Sequence, residues 1–312
     1  MNKVVIIGAG NVGATAAHCI LDRKLADVVL IDIVEGLPQG KALDMMQACS
    51  PNANSCRIVG TNDYSLTKDA DIVVITAGIA RKPGMSRDDL LKTNARIVQS
   101  SIKEAFKQSP NAIFIVVTNP LDVMTQLVLE TTKINPAKVI GMAGVLDSAR
   151  FETFIAMELN VSVTDVRALV LGGHGDLMVP VTSLASVSGI PLTNLISQEK
   201  LQELIKRTQD GGAEIVGLLK TGSAYYAPGA SVAFMVSSIL KNENRMMTAS
   251  VYSQGQYGLK DLYIGLPCVL DKTGVKKIVE LNLSKAELEA LNKSAQAIKE
   301  NIAKMNELLV TV

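Results

Sequence analysis

His18 and His174 are the only imidazoles in 312 residues, so acid–base chemistry near neutral pH has few possible centres. His174 lies in Gly172-Gly173-His174-Gly175-Asp176, a glycine-flanked turn after an apolar run. A histidine in a loop is often merely solvated. Asp147 and Arg150 give this one more useful company, because their spacing of three puts both on one face at the start of a helix. A carboxylate there can orient an imidazole, and a guanidinium can grip a planar anion through two parallel hydrogen bonds. The competing reading is a surface ion pair of negligible worth. His18, one turn past a glycine loop, reads as packed or half-exposed rather than as a ligand.

That glycine loop is Gly8-Ala9-Gly10-Asn11-Val12-Gly13. The G-x-G-x-x-G spacing is weak evidence alone, but three supports coincide here. An apolar strand precedes it, a small-residue helix (Ala14–Ala17) follows, and Asp32 closes the next strand 19 residues beyond Gly13. Gly8 permits the tight turn, Gly10 lets the backbone approach a pyrophosphate, and Gly13 allows close helix–strand packing. The helix N-terminus offers free N–H groups and a positive dipole to the phosphates. Asp32 can accept both ribose hydroxyls and would repel a 2′-phosphate, so NAD is expected over NADP. A second cationic run, Arg81-Lys82-Pro83-Gly84-Met85-Ser86-Arg87, follows a later strand and leads into a helix. A charge run is usually a solvated face, yet Pro and Gly between two arginines suit a closing lid.

These residues need elements to hold them. Val4–Ile7, Val28–Ile33, Ile72–Thr76, Ile113–Thr118 and Val139–Ile140 read as strands too apolar to have a wet face, which predicts a parallel sheet covered on both sides. Arg87–Gln108 reads as a helix between two of them. Asn119-Pro120 and Gly141 mark the ends of two strands, and ligands bind at that edge of open α/β sheets. The second half changes pattern near 142–146. Asp147–Asn160 looks helical and Val166–Leu171 looks like one strand. Helical patterns follow at 197–220, interrupted by Gly211-Gly212, and at 230–240. Ser284 and Glu287 form a capping box before an apolar stripe through Leu288, Leu291, Ala295, Ile298, Ile302 and Met305.

Composition narrows the field. Apolar residues make up 48% and charged residues 20%, enough for large cores and against disorder. A net charge of +1 argues against a nucleic-acid partner. The four cysteines contain no C-x-x-C pair, which points to reduced thiols in a cytoplasm, and with two histidines no metal site is expected. The apolar run Val4–Ile7 is broken by glycines, so it reads as a buried strand rather than a signal peptide. No window approaches 18 uninterrupted apolar residues, so no membrane association is expected.

GAGNVG at 8–13, Asp32, ITAGIARKPGMSRDDL at 75–90, VTNPLDVMT at 117–125, GVLDSARF at 144–151 and LGGHGDLMVP at 171–180 occur in that order. Together they resemble the lactate/malate dehydrogenase family, specifically its lactate-dehydrogenase-like malate dehydrogenases, over nearly the whole chain. The resemblance implies an NAD-binding Rossmann domain, a doubly wound parallel sheet, over 1–143, and a mixed α/β catalytic domain over 144–312. It implies malate/oxaloacetate chemistry with NAD and assembly as a homodimer or homotetramer. His174 would move the proton, Asp147 would fix its tautomer, and Arg150 would hold the carboxylate beside the reacting carbon. Arg87 would arrive with the lid to polarise the carbonyl, and Asn119 would bind the substrate oxygen. Asn94 and the backbone of Val117, Thr118 and Asn119 would contact cofactor or substrate. Arg81 stands at the family's specificity position, where lactate dehydrogenases usually carry Gln and a second carboxylate needs a cation. Two positions depart from the expected pattern: Leu177, where a small hydroxyl residue is expected and packing under the turn would change, and Glu152, where a base is expected. The rival readings are a lactate or other 2-hydroxyacid dehydrogenase, a non-catalytic NAD-sensing module, and an NAD-dependent glycosidase, whose chemistry normally involves a metal.

Overall fold

The computed structural model describes residues 2–80 and 84–310. Six strands run parallel: β1 (Lys3–Ile7), β2 (Asp27–Ile31), β3 (Ile58–Thr61), β4 (Ile72–Ile75), β5 (Ile113–Val116) and β6 (Val139–Gly141), in the order β3-β2-β1-β4-β5-β6. Alternate residues of each strand point to opposite faces, and both faces are covered except at the edge strand β3, where Val59 is exposed. Val4, Ile6, Val28, Leu30, Ile72 and Val74 join one core, while Val5, Ile7, Val29, Ile31, Val73 and Ile75 join another. Helix α1 (Asn11–Asp22) covers the first face with Ala16, Ala17 and Ile20. Helix α2 (Leu37–Cys49) follows β2 on the way to β3. Helices α3 (Arg87–Gln108) and α4 (Leu121–Thr132) cover the second face with Leu91, Ala95, Val98, Val123 and Leu127.

The chain leaves β6 directly into α5 (Gly144–Leu159). Short pairs follow: β7 (Val166–Arg167), β8 (Val170–Leu171), β9 (Val179–Pro180), β10 (Ser186–Val187) and β11 (Ile190–Pro191). With α6 (Gln198–Leu219) they enclose a third, smaller core around Phe151, Ile155, Val166, Val187 and Leu204. Helix α7 (Tyr226–Leu240) packs on α1, and β12 (Arg245–Gln254) returns to pair antiparallel with β6 through Ser250 and Gly141. Strands β13 (Lys260–Asp271) and β14 (Gly274–Ile278) complete a nine-stranded sheet, and α8 (Lys285–Val310) lies across both α3 and α4. The two halves of the chain thus share one sheet.

Several elements differ from the sequence expectation. Val166–Leu171 is not one strand, because α5 takes its ladder donors: Ala168 N–H donates to Glu152 Oε1 at 3.2 Å and Val170 N–H to Ser148 Oγ at 3.0 Å. Gly211-Gly212 does not interrupt α6. Its glycines lie against Arg150 and Phe154 of α5, where a Cβ on Gly211 would come within 3.3 Å of Arg150 Cδ. The helix expected from 230 starts at Tyr226, with Pro228 in its first turn, a position that asks for no N–H. The box at Ser284 is present, with Ser284 N–H donating to Glu287 at 2.8 Å and Glu287 N–H to Ser284 Oγ at 3.3 Å. Among the described residues no helix is long and apolar enough to cross a membrane.

Candidate active site

In a sheet of this order the connections diverge to opposite faces between β1 and β4, which opens a crevice beyond their C-terminal ends. The glycine loop fills one side of it. Gly8 N–H donates to Ile31 O at 2.7 Å, and the Thr76 hydroxyl at the end of β4 lies 3.0 Å from Gly8 O. A Cβ on Gly13 would sit 1.9 Å from the Gly8 carbonyl oxygen, whereas a Cβ on Gly10 would meet nothing within 4 Å. Gly13 therefore serves packing inside the protein, and Gly10 keeps open the space outside it. The first intrahelical bond runs from Ala14 N–H to Gly10 O at 3.0 Å, so the amides of Asn11, Val12 and Gly13 precede the helical ladder and can face an anion.

Asp32, just beyond β2, braces this loop. Its Oδ2 accepts Ala9 N–H at 2.7 Å and its Oδ1 accepts Val34 N–H at 3.0 Å. Each carboxylate oxygen can accept a further bond, so both remain able to take ribose hydroxyls. Lys41 Nζ donates to Ala9 O at 2.7 Å, which puts a cation on the other side of the same residue. A cradle of open space, unladdered amides and a carboxylate with spare acceptors fits a dinucleotide. His18 is exposed on α1 rather than packed.

The catalytic turn lies between β8 and β9. Gly172 and Gly175 have φ of +81° and +132°, a region that a side chain disfavours, which is why glycines flank His174. Nδ1 of His174 lies 2.8 Å from Asp147 Oδ2, and Arg150 Nη1 donates to Asp147 Oδ1 at 3.3 Å. With a carboxylate as partner, Nδ1 carries the proton and Nε2 is left as the free nitrogen. The Asp147 side chain is 3% exposed, those of Arg150 and His174 13% and 14%; this is no surface pair. Burial opposes the imidazolium, but the charge of Asp147 and its hydrogen bond outweigh burial and the repulsion of Arg150, with Asp122 adding to them. His174 therefore titrates above its ordinary value. Arg150 Nε is buried and unpartnered among the described residues, so part of its guanidinium is uncommitted.

The remaining candidates surround this set. Arg87 opens α3 behind a capping box of Ser86 and Asp89 and is 81% exposed, its Nη2 3.6 Å from Asp176 Oδ2 on the catalytic turn. Asn94 is buried and already committed: Oδ1 accepts Ile79 N–H at 2.8 Å, and Nδ2 donates to Asn119 O at 2.8 Å. It ties the chain just beyond β4 to the chain just beyond β5. Thr118 donates its hydroxyl to Ala77 O at 2.7 Å, Val117 is half-buried, and Asn119 is exposed before a cis bond to Pro120. Arg81 and Lys82 lie outside the described residues.

Leu177 is on the surface, 38% exposed, not beneath the turn. Glu152 is half-buried on the opposite side of α5 from Asp147 and Arg150, where burial pushes its carboxyl above the ordinary value against the pull of Ala168 N–H and Arg167. It lines a cleft of about 940 Å³ together with Arg23, Arg167, Ala227, Phe234 and Met246. Three side chains that support the turn escape the sequence reading. Asp122 and Ser294 accept the amides of His174 and Gly173 at 2.9 and 2.8 Å, and Ser250 donates to Asp122 at 2.7 Å. Asp122 leaves a faint signal as the one acid in the apolar stretch 121–124; the serines leave none.

An imidazole poised to take a proton, a guanidinium free to hold an anion and a dinucleotide cradle on the same molecule are the equipment of a hydroxyacid dehydrogenase. The chain belongs to the lactate/malate dehydrogenase family: residues 2–141 match its NAD binding domain and residues 144–309 its alpha/beta C-terminal domain. A malate dehydrogenase of Trichormus variabilis is 57% identical over 300 residues, 96% of this chain and 93% of that one. The malate dehydrogenase of Picrophilus torridus has the same fold with a TM-score of 0.96 at 44% identity, covering 99% of this chain and 98% of its own. A lactate dehydrogenase of Cryptosporidium parvum, complexed with lactic acid and β-nicotinamide adenine dinucleotide, reaches 0.95 at 41%, covering 98% of each chain. Backbone shape therefore does not separate the two substrates.

Proposed function

We propose that this protein is an NAD-dependent malate dehydrogenase. The observation that carries the reading is the buried Asp147–His174 pair at 2.8 Å with Arg150 beside it. NAD, when bound, would supply the hydride acceptor for the carbinol carbon of malate, and NADH the hydride donor for the ketone carbon of oxaloacetate. In oxidation, Nε2 of neutral His174 accepts the hydroxyl proton as the C=O bond forms, and in reduction the imidazolium gives it back. Asp147 holds the tautomer that leaves Nε2 free and stabilises the imidazolium. Arg150 grips the carboxylate next to the reacting carbon, and Asn119 hydrogen-bonds the substrate oxygen. Arg87, which starts 3.6 Å from Asp176, polarises the carbonyl. Asn94 acts on cofactor and substrate through the loops it ties. The glycine loop amides take the pyrophosphate, the backbone at Val117 and Thr118 lines the nicotinamide side, and Asp32 takes the ribose.

Arg81 decides between malate and lactate chemistry. Oxaloacetate and pyruvate share a ketone and one carboxylate and differ at the far carbon, where oxaloacetate carries a second charge. In a closed site that charge needs a partner, and a guanidinium pairs with it through a planar fork that the Lys82 ammonium lacks. Losing one member of a buried charge pair costs about 2–5 kcal/mol, roughly 30-fold to several thousand-fold in rate. Arg81→Gln should lower kcat/KM for oxaloacetate by that factor and improve pyruvate, measured side by side through NADH consumption. A shift of the oxaloacetate:pyruvate ratio below about tenfold, or a larger shift in Lys82→Gln, would return the assignment to a broader 2-hydroxyacid dehydrogenase.

Assembly with further copies is part of the same reading. Met246 (56% exposed) lines the cleft behind α5, and Tyr226 (73%) precedes its Ala227. Apolar groups so exposed suit a subunit interface, and sedimentation would distinguish dimer from tetramer. The four free cysteines suit a cytoplasmic setting.

A further inference from the structure

Asp122 has no part in the proton transfer described above, yet it is more deeply buried than the histidine it touches. It lies in the first turn of α4, 5% exposed, among Leu121, Val123 and Met124. A carboxylate is costly there unless its oxygens are bonded. Both are, and to elements far away in the chain: Oδ2 accepts the backbone N–H of His174 at 2.9 Å and Oδ1 accepts the hydroxyl of Ser250, on β12, at 2.7 Å. A helix next to the substrate loop, the catalytic turn and the antiparallel strand that joins β6 therefore meet on one side chain. A neutral asparagine could make comparable bonds without a buried charge, so the choice of an acid calls for a reason.

We propose that Asp122 is a positioning residue for His174: its carboxylate clamps the main chain of the proton-transfer histidine and adds a second negative charge that favours the imidazolium. The inference rests on His174 being the proton-transfer group. The charged groups around that ring are Asp147 and Arg150 from α5 and Asp122 from α4; Ser294 of α8, which holds the preceding amide, is neutral. Asp147 attracts the imidazolium directly, Arg150 repels it, and Asp122 adds a smaller attraction. Burial raises the Asp122 carboxyl above its ordinary value, and the nearby Asp147 charge adds to that. Ser250, the His174 amide and the His174 charge act in the opposite direction. The imidazolium and the Asp122 carboxylate thus favour each other's charged form, and reduction, which needs the proton on His174, gains from both.

Asp122→Asn tests this, because an amide oxygen can still accept the His174 N–H while the charge is gone. The readout is the titration of the two histidines in protein carrying isotopically labelled histidine, with His174→Asn assigning the signals. His18, on α1, serves as the internal reference for an intact fold. In Asp122→Asn the His174 midpoint should fall by about half a unit or more. The pH profile of oxaloacetate reduction should move to lower pH by the same amount, with NADH binding retained. Ser250→Ala, which leaves the acid in place but strips one of its two bonds, should move the His174 midpoint the same way by less. If neither variant moves it, the acid only holds the fold and the proposal is overturned. That outcome is distinct from failure of the proton-transfer reading itself, which would appear as substantial turnover in His174→Asn whatever the titration shows.

Discussion

The two sides of the crevice are made rigid by different means. At the glycine loop the structure consists of main chain against main chain: Gly8 is bonded to β2, Gly13 has no room for a methyl group, and Thr76 of the neighbouring strand closes the gap. Its charged braces are two: Asp32 holds the amides of Ala9 and Val34, and Lys41 holds the Ala9 carbonyl. At the catalytic turn the structure consists of side chains brought from α4, α5, β12 and α8, each satisfying the next. The first arrangement fixes a shape for a rigid, repeatedly used phosphate. The second fixes a proton affinity, through burial, nearby charge and hydrogen bonding together. Steric changes should therefore damage the first side and charge changes the second.

The largest effect is expected at His174. His174→Asn removes the imidazole proposed to exchange the proton and should lower turnover in both directions by about 10²–10⁴-fold, with NADH binding nearly intact. In the wild type the two directions should oppose each other in pH. Reduction needs the imidazolium and should decline as pH rises through the His174 value, which Asp147 holds above the ordinary value of about 6.5; oxidation should rise over the same window. Substantial residual turnover in the variant, or parallel pH profiles, would remove His174 from proton transfer and dissolve the contrast between the two sides.

The same contrast explains what could be read in the residues. The glycine loop, the apolar strands of the parallel sheet and Asp32 lie close together in sequence, and each has a local reason for its residue type. The side chains that hold the His174 turn span from Asp122 to Ser294, and nothing at Ser250 or Ser294 marks a serine that will hold a turn from another element. Asp147 and Arg150 could be placed on one helix face by spacing, but their burial could not. The break in Val166–Leu171 was equally invisible, since it depends on Glu152 and Ser148 reaching over from α5. The ribbon of β12 and β13 also went unread; its strands pair with each other, with β6 and with β14.

Asp32 sits between the two modes, being a charge at the steric side. Asp32→Ser keeps an acceptor but removes the repulsion of a 2′-phosphate, and like charges at hydrogen-bonding distance cost several kcal/mol. The ratio of NADPH to NADH efficiency should rise by about 100-fold. Because Asp32 also braces Ala9 and Val34, the KM for NADH should rise as well. An unchanged preference would show that Asp32 serves only as a brace for the loop and does not read the ribose.

The smallest effects come from two glycines that differ by three residues. Gly13→Ala must force the Gly8 carbonyl, 1.9 Å from the new Cβ, and Thr76 Oγ1, 2.8 Å away. Backbone cannot step aside as a side chain can, so stability should fall by about 1–3 kcal/mol with or without cofactor. Gly10→Ala meets nothing within 4 Å and keeps a φ of −63° that alanine adopts freely, so the protein alone should change by less than about 0.5 kcal/mol. Its methyl group would instead stand where the pyrophosphate approaches, and NADH affinity should drop while the melting temperature of the cofactor-free protein stays put. Turnover at saturating NADH should survive in both, because neither touches a charge at His174. Equal losses of stability in the two variants, or NADH affinity unaffected by Gly10→Ala, would mean that the loop is a packing turn and that the phosphate is held elsewhere.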